Sequence, residues 1–442
     1  MQKPQPHSTL QEKIRSRTAT VGVLGLGYVG LPLCVEFARA GFTVVGLDVV
    51  KEKVDALNSG KSHVEDIPSS SLAPIIAEKK FVATTDFSAI ATLDAAIICV
   101  PTPLRKTKDP DISYVLSAVK AVAKHVHKDM LIVLESTTYP GTTEELLIPE
   151  LAIHGLEVGK DVFAAFSPER IDPSNKKWHL RNTPKVIGGA TPRCTELACE
   201  LYSAAVDTVV PVSSPRAAEM VKLLENTFRA INIGLANEFA LMCDKLGMDV
   251  WEIVDAAASK PFGFMKFTPG PGLGGHCIPL DPLYLSWKMK ERNYNARFIE
   301  LADDVNSHMP DFVIHKAGLA LNGAKKSVNG AKVLVLGVAY KKDVSDVRES
   351  PALDIVKHLE ALGAAVDYHD VFVPTLAHEG LPKRSISSAP TPDGIAGYDL
   401  VLIATDHSCV DYERVVREAQ VVLDCRNATK GVVEGKEKVV KL

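Results

Sequence analysis

The 442-residue sequence has neither a long hydrophobic run nor a strong net charge. No apolar stretch approaches the about 20 residues that a membrane-spanning helix needs. Residues 1–17 are polar and basic and lack the apolar segment of a signal peptide, so we expect a loose tail and a cytoplasmic protein. A net charge of -4 gives no electrostatic footprint for nucleic acid or an anionic membrane, so neither is an expected partner.

The eight cysteines are scattered and form neither a C-x-x-C motif nor a metal-ligand spacing with histidine. This pattern favours reduced thiols and predicts no bound metal. The composition, 46% hydrophobic and 24% charged, is that of an ordinary globular protein. The chain is too long for one core and predicts two or three domains.

A glycine loop stands near the start of the chain. A short apolar strand, 20–24, leads into Gly25-Leu-Gly27-Tyr-Val-Gly30 and a helical pattern, and a second strand, 43–47, ends at Asp48. Such glycines let backbone amides approach a pyrophosphate at a helix N-terminus, and the acid can bind a ribose 2′-hydroxyl and repel a 2′-phosphate. The pattern predicts NAD rather than NADP, the alternative being a glycine-rich turn in an unrelated α/β protein.

Strands and helices alternate as far as about residue 211 and predict a doubly wound sheet. Further strands are expected at 95–100, 131–134, 162–166, 185–187 and 206–210. Because ligands bind at the carboxyl ends of such strands, Thr102 and Thr137 are candidates to face the cofactor, although both could instead cap the next segment. Glu169, Arg170 and Asp172 crowd one loop, which is either functional or solvated surface.

Residues 215–246 read as one long helix that is hydrophobic on more than one side, a pattern typical of a helix between domains or subunits. Lys222 and Asn226 lie one turn apart on it. A lysine there could be a surface charge, but a Lys and an Asn on one face can also hold an oxyanion. Further helices are expected at 249–258 and 281–307.

Residues 269–282, Pro-Gly-Pro-Gly-Leu-Gly-Gly-His-Cys-Ile-Pro-Leu-Asp-Pro, form a shaped loop, because so many glycines and prolines fit neither a helix nor a central strand. The loop carries one thiol, Cys277, and one carboxylate, Asp281. Cys277 is either a nucleophile or a small residue buried under a turn.

A second α/β pattern begins at 332–336, where the strand is followed only by Gly337. A second dinucleotide site is therefore not expected. The loop 337–350 concentrates basic residues at a strand's carboxyl end, where phosphates would bind, and Arg426 follows a later strand toward the same edge. Residues 383–394 are rich in serine and proline and predict an irregular loop.

Taken together, these motifs resemble the UDP-glucose/GDP-mannose dehydrogenase family in order along residues 19–427. The resemblance implies two Rossmann-like doubly wound domains joined by a long central helix and a small helical region. Its boundaries would be an NAD-binding domain at 18–211, a central dimerisation and catalytic domain at 212–310 and a UDP-sugar-binding domain at 311–442. Within the family, the motif Ser167-Pro-Glu-Arg-Ile-Asp-Pro173 with Lys185-Val-Ile-Gly-Gly189, and the cysteine loop, are most similar to UDP-N-acetylglucosamine 6-dehydrogenases. Arg170 and His276 replace residues typical of the UDP-glucose enzymes and so argue against UDP-glucose.

The resemblance implies a four-electron oxidation of a sugar C6 alcohol, with two NAD reduced in turn and Cys277 as the nucleophile. Lys222 and Asn226 would stabilise oxyanions, Asp281 would position or activate water, and Glu169 with Thr137 would handle the proton or a bound water. It also implies a homodimer through the long helix.

The binding residues follow from the same resemblance. The expected cofactor contacts are Gly25, Gly27, Tyr28, Val29, Gly30, Asp48, Lys53, Thr102, Thr137 and Arg348. The expected substrate contacts are Glu169, Arg170, Lys222, Asn226, Gly274, Lys341 and Arg426.

Other functions stay open at this point. Within the family, UDP-N-acetylmannosamine or UDP-glucose could be the substrate. A single-step hydroxyacid dehydrogenase would also combine a Rossmann domain, a helical middle and a lysine, but it would need no cysteine and would form one NADH per turnover. A non-enzymatic NAD-binding module would leave Cys277, Lys222 and Asn226 without a purpose.

Overall fold

The computed structural model describes residues 9–64, 66–103, 109–172, 175, 177–378, 381–385 and 392–442. The chain forms two compact units, residues 1–225 and 226–442. One long helix, Pro215–Leu246, crosses the boundary between them, as its apolar spacing predicts.

The described part of the first unit contains an eight-stranded sheet. Its strands are β1 (Thr20–Leu24), β2 (Thr43–Leu47), β3 (Phe81–Thr84), β4 (Ala95–Ile98), β5 (Met130–Leu134), β6 (Val162–Phe166), β7 (Lys185–Gly189) and β8 (Val209–Val212). The order is β3-β2-β1-β4-β5-β6-β7-β8, and β7 runs antiparallel to β6 whereas the other neighbours are parallel. The first residue of β7 therefore lies at the edge where β6 ends.

Both faces of this sheet are covered, as expected for mostly parallel strands. In β5, Leu131 and Val133 pack into one apolar cluster, whereas Ile132 and Leu134 pack into another. The helices of this unit are α1 (Leu10–Arg15), α2 (Gly30–Arg39), α3 (Lys51–Asn58), α4 (Ser69–Ala77), α5 (Ser113–His125), α6 (Ile148–Ile153) and α7 (Pro192–Tyr202), with a 3-10 turn at Phe87–Thr92 and a π turn at Thr143–Leu147.

The structure corrects the expectation of a loose tail over residues 1–17. Within the described residues, α1 forms because Thr9 and Glu12 make a reciprocal capping box, and Leu10 and Ile14 are buried against the first unit. The helix is short, so its apolar spacing could not be recognised in the polar sequence around it.

The second unit follows the long helix, α8 (Pro215–Leu246). Its other helices are α9 (Val250–Ala257), α10 (Asp281–Lys290), α11 (Arg297–Ser307), α12 (Met309–Gly323), α13 (Pro351–Ala361), α14 (Pro392–Ile395) and α15 (Tyr412–Glu418). Its strands are β9 (Lys332–Leu336), β10 (Ala365–His369), β11 (Thr375–His378), β12 (Leu381–Ser385), β13 (Leu400–Ile403), β14 (Val422–Asp424) and β15 (Val439–Lys441), with a 3-10 turn at Lys436–Lys438.

In the described residues of this unit, five parallel strands form the order β10-β9-β13-β14-β15. The doubly wound Rossmann-like class predicted for both α/β regions is thus confirmed. Two expectations are wrong. Helix 281–307 is broken between α10 and α11, where Asn293 has a φ of 55°. The irregular loop predicted at 383–394 begins inside a hairpin, because β12 pairs antiparallel with β11; residues 386–391 lie outside the described residues.

Candidate active site

The glycine loop of the first unit connects β1 to α2. Gly25 has a φ of 93°, and its N–H donates to the carbonyl of Leu47 at 2.8 Å. A Cβ on Gly30 would lie 1.9 Å from the carbonyl oxygen of Gly25, so only glycine permits this turn. A Cβ on Gly27 would meet nothing within 4 Å, which leaves open space beside the backbone.

Asp48 lies directly after β2 and is buried. Its carboxylate accepts from the N–H of Leu26 at 2.9 Å and from that of Val50 at 3.0 Å, and the Lys53 ammonium lies 3.9 Å away. The glycine loop and the acid are therefore joined through one backbone amide. Around them, Tyr28 is 42% exposed, and Val29, Lys53 and Thr102 are half-buried.

The ends of β5 and β6 carry the other candidates of the first unit. Thr137 is half-buried, and Glu169 is buried with one oxygen accepting from the N–H groups of Arg170 and Ile171 at 2.6 and 2.8 Å. Its other oxygen accepts from the Lys185 ammonium at 2.9 Å. Sequence reasoning placed Lys185 in a family motif but gave it no role in the site; a lysine at the start of an otherwise apolar strand was the available signal.

Helix α8 carries Lys222 and, through Glu225, binds Arg170. The guanidinium of Arg170 donates to both carboxylate oxygens of Glu225, at 2.5 and 3.2 Å, and to the carbonyl of Pro184 at 2.7 Å. Lys222 is 9% exposed, so it is not the surface charge that sequence alone allowed.

Glu219, one turn before Lys222, was also missed by the sequence reasoning. Its buried carboxylate accepts from the N–H groups of Gly141 and Thr143 at 2.5 and 2.9 Å, and burial raises its pKa. These bonds tie α8 to the turn that follows Thr137.

The cysteine loop lies in the second unit, where glycines bring its backbone against neighbouring residues. A Cβ on Gly274 or Gly275 would lie 2.7 or 2.8 Å from the side chain of Tyr340, and the N–H of Gly275 donates to the carbonyl of Arg348 at 3.0 Å. The loop is thus held on the basic segment that follows β9. Cys277 is half-buried and so is not sealed behind packed side chains.

Asn226, Cys277 and Asp281 are linked in the same unit. The N–H of Asp281, the first residue of α10, donates to the carbonyl of Cys277 at 2.8 Å. The Asn226 amide donates to the Asp281 carboxylate at 2.5 Å, and Asp281 is 4% exposed. Two of the predicted catalytic side chains are therefore in direct contact, and the third is joined to them through the backbone.

The basic candidates of the second unit, Lys341, Arg348 and Arg426, differ in their burial and in their contacts. Lys341 is half-buried, and Arg348 is exposed and paired with Asp346 at 2.7 Å. Arg426 donates to the carbonyl of Ala404 at 3.0 Å, and a Cβ on Gly270 would lie 2.4 Å from its guanidinium. Burial lowers the pKa of Arg426.

The chain matches three domains of one family, described as the NAD binding domain of the UDP-glucose/GDP-mannose dehydrogenase family at residues 19–206, its central domain at 216–308 and its UDP binding domain at 334–431. The chain belongs to the UDP-glucose/GDP-mannose dehydrogenase family. Members of this family are NAD-dependent nucleotide-sugar oxidoreductases, so the protein is an enzyme of that class.

Similar proteins act on several amino sugars. The chain is 36% identical over 416 residues to a UDP-N-acetyl-D-mannosamine dehydrogenase of Pyrococcus horikoshii, covering 93% of this chain and 96% of the relative. It is 35% identical over 390 residues to a UDP-N-acetyl-D-glucosamine 6-dehydrogenase of Pseudomonas aeruginosa, covering 88% and 90%. A solved structure of a UDP-D-ManNAc dehydrogenase from Pyrococcus horikoshii has a TM-score of 0.86 at 34% identity, covering 96% of this chain and 98% of that one.

The glycine loop fits the NAD of this family. The open space at Gly27 leaves room for a pyrophosphate beside backbone amides, and the Asp48 carboxylate lies at the end of β2 where a ribose would be bound. Among the described residues, no group of three or more His, Cys, Asp or Glu side chains is arranged to hold a metal ion. No helix in the described ranges has both the length and the hydropathy to cross a membrane.

Proposed function

We propose that this enzyme oxidises the C6 hydroxyl of a UDP-N-acetylhexosamine, in the first place UDP-N-acetylglucosamine, to the carboxylate. The cysteine loop carries the proposal. Cys277 is half-buried in a glycine-shaped loop, its carbonyl binds the N–H of Asp281, and Asp281 binds Asn226. A thiol can add to an aldehyde, while an amide beside it can stabilise the adduct and a carboxylate can position water.

The reaction has four parts in this proposal. When bound, NAD supplies a hydride acceptor for each of the two oxidations. The first oxidation leaves an aldehyde, to which the Cys277 thiolate adds to give a thiohemiacetal. Loss of the second hydride converts this adduct to a thioester, and water hydrolyses the thioester to the carboxylate and the free thiol.

In this proposal the N–H donors stabilise negative charge, and the carboxylates handle water and protons. Lys222 and Asn226 stabilise the oxyanions of the adducts, since both carry N–H donors. Asp281 orients or activates the water, while Glu169 and Thr137 take the proton or hold a water. Asp281 is supported in this role by its bond to Asn226, which fixes the direction of the carboxylate.

The binding groups complete the proposal. Lys341 and Arg426 hold the UDP-sugar, and Arg170 contacts the sugar or its acyl group. Arg348 contacts the NAD pyrophosphate. Thr102 and Lys53 lie near the cofactor.

The preference for UDP-N-acetylglucosamine is inferred from Arg170 and His276. By the family resemblance, UDP-glucose enzymes typically carry Phe at the position of Arg170 and Ser at the position of His276. The second candidate is UDP-N-acetylmannosamine, because the relative from Pyrococcus horikoshii bears that name at 36% identity. Both are N-acetylated UDP-hexosamines, so they differ at the sugar ring and share the chemistry at C6.

The test is a count of NADH formed per sugar with UDP-N-acetylglucosamine, UDP-N-acetylmannosamine, UDP-N-acetylgalactosamine, UDP-glucose and GDP-mannose. We expect two NADH per UDP-N-acetylglucosamine. Cys277→Ala should give one or none, while Cys409→Ala, at an exposed cysteine of the same unit, should still give two. Two NADH from Cys277→Ala would rule out the thioester, and one NADH from the unaltered enzyme would indicate a single-step dehydrogenase.

We also propose a homodimer through α8. This helix exposes large apolar side chains, namely Met220, Leu224, Phe228, Leu235, Phe239 and Met242, which monomers rarely leave in water as one group. Leu224→Glu should shift the sedimentation coefficient to that of a monomer. Leu362→Glu, at an exposed leucine that follows α13, should not. A monomeric unaltered protein at micromolar concentration would contradict the proposal.

A cytoplasmic location stays a prediction. Fractionation of cells that make the protein tests it, and recovery in the membrane or secreted fraction would contradict it.

A further inference from the structure

Four polar side chains are buried together where β5 and β6 end. The Lys185 ammonium donates to Glu135 at 3.0 Å and to Glu169 at 2.9 Å, and the Tyr202 hydroxyl donates to the other oxygen of Glu135. The Lys185 ammonium also lies 5.6 Å from the centre of the Tyr202 ring. None of the four is more than 7% exposed.

The fold explains why these residues meet. Glu135 follows β5 directly, and Glu169 lies just past the end of β6. Lys185 begins β7, which runs antiparallel to β6 and so starts beside the β6 end. Tyr202 is the last residue of α7. The cluster therefore lies at the edge of the sheet where ligands bind in open α/β folds.

The charges of the cluster do not balance. Among the described residues, two carboxylates and one ammonium leave one negative charge in excess, and a buried uncompensated charge is strongly unfavourable. One additional proton makes the cluster neutral. Among the described residues, Cys99 is a further titratable neighbour, and burial raises the pKa of its thiol. The Arg170 guanidinium adds no charge here, because it binds Glu225.

The hydrogen bonds decide which carboxyl takes the proton. Glu169 accepts from Lys185 and from two backbone N–H groups, which stabilise its anion. Burial raises the pKa of Glu169, but the Lys185 ammonium outweighs it, so that the pKa falls below its usual range. Glu135 has Lys185 and the Tyr202 hydroxyl as partners, and burial raises its pKa. The tyrosine hydroxyl can turn and accept from a protonated Glu135.

We propose that Lys185 is a positioning residue that keeps Glu169 as an oriented carboxylate, while Glu135 with Tyr202 holds the extra proton. This inference rests on the proposed role of Glu169 in the reaction. One oxygen of Glu169 is saturated by two backbone donors, and the oxygen facing Lys185 keeps one acceptor position. That position receives a water or a sugar hydroxyl, so Glu169 orients the group and accepts its proton only transiently.

Enzyme kinetics tests the role of Lys185 and the role of Glu135 separately, because the two roles predict different effects on the pH profile. Lys185→Gln removes the cation beside Glu169 and should move the acid limb of the kcat profile up by about one pH unit or more, with KM for NAD unchanged. Lys185→Arg keeps the cation and should restore the profile toward that of the unaltered enzyme. Glu135→Gln imitates a protonated Glu135 and should leave the acid limb in place. A shift of the acid limb to lower pH in Glu135→Gln, or equal losses at every pH in all three variants, would overturn the proposal.

Infrared spectroscopy supplies a readout that needs no substrate. At neutral pH we expect the carbonyl band of a buried carboxylic acid, and Tyr202→Phe should shift this band to higher wavenumber because Tyr202 binds Glu135 and not Glu169. A band that Tyr202→Phe leaves in place, or no such band, would overturn the inference. Failure of the unaltered enzyme to reduce NAD with any UDP-sugar would refute the proposed function. The infrared result would still decide which carboxyl of the cluster is protonated. It would also do so if Lys185→Gln does not fold.

Discussion

The two Rossmann-like units share one backbone turn after their first strand but differ in the residues around that turn. In the first unit Gly25 donates to Leu47, and in the second Gly337 donates to His369 at 2.9 Å; both glycines have positive φ, 93° and 79°. In each unit a carboxylate after the second strand accepts from amides of the loop after the first strand. Asp370 takes this place in the second unit, accepting from Val338 and Ala339 at 2.8 and 3.0 Å.

The two loops differ in the residues that follow this glycine. A Cβ on Gly27 in the first loop would meet nothing within 4 Å, whereas Val338 and Ala339 in the second loop are buried. The Asp370 carboxylate is further bound by Nε2 of His407 at 3.1 Å, while the Asp343 N–H donates to Nδ1 at 2.9 Å and so places the ring proton on Nε2. We therefore expect the acid of the first unit to bind a ligand, whereas the acid of the second unit holds the loops of that unit.

Substitution of the loop glycines should give the largest contrast. Gly30→Ala forces a Cβ against the Gly25 carbonyl and should weaken NAD binding at least about 100-fold, or ~2.7 kcal/mol, by calorimetry. Gly337→Ala should damage the second unit and leave NAD affinity unchanged. Gly323→Ala, where a Cβ would meet nothing within 4 Å, is the neutral control. Equal loss of NAD affinity in Gly337→Ala would break the comparison.

Loss of the Asp370 carboxylate should chiefly affect stability. Asp370→Asn removes charge-assisted bonds to two buried amides and His407, and should lower the free energy of unfolding by about 3 kcal/mol in denaturant titrations. KM for NAD should stay unchanged. A raised KM for NAD with normal stability would assign Asp370 a ligand instead.

The pH dependence of stability checks the same contact. Burial raises the pKa of Asp370, but the His407 hydrogen bond and the amides outweigh it and hold the pKa below its usual range. The carboxylate therefore stabilises the fold above about pH 4, the unfolded value, and this contribution is lost as the pH falls through the folded pKa. Asp370→Asn should remove this part of the acid loss, and an unaltered acid profile would contradict the assignment.

Substitution of Asp48 should instead affect the cofactor. If the Asp48 charge binds a ribose hydroxyl and repels a phosphate, KM for NAD should rise about tenfold, or ~1.4 kcal/mol, in Asp48→Asn, while NADP becomes a better substrate. Steady-state kinetics with both cofactors measures this. An unchanged preference for NAD over NADP would mean that Asp48 only stabilises the loop by hydrogen bonds, as Asp370 does.

The smallest effect is expected at Lys53. Its side chain is 40% exposed and its ammonium is 3.9 Å from Asp48, so the pair is worth at most about 1 kcal/mol. Lys53→Ala should change KM for NAD by about twofold or less, and the effect should vanish in high salt. A larger change that persists in salt would indicate direct contact of Lys53 with the cofactor.

Much of the fold could be read from the sequence, because local rules governed it. The strands β1, β5 and β9 are short apolar runs, and α8 has an uninterrupted apolar spacing without proline, so their bounds follow from periodicity. The hairpin of β11 and β12 could not be read, because its strands are short and depend on pairing with each other. Helix α1 depends on a cap and on two side chains buried against the first unit.

The sequence by itself determined the family, the two α/β patterns and the cysteine loop, since each is written in residues a few positions apart. Only the tertiary structure decided which charges meet. Lys185 binds partners 50 and 16 residues away, and His407 binds a carboxylate 37 residues away. Burial makes such pairings strong and depends on how strands align across a sheet, which is a property of the folded chain and not of neighbouring residues.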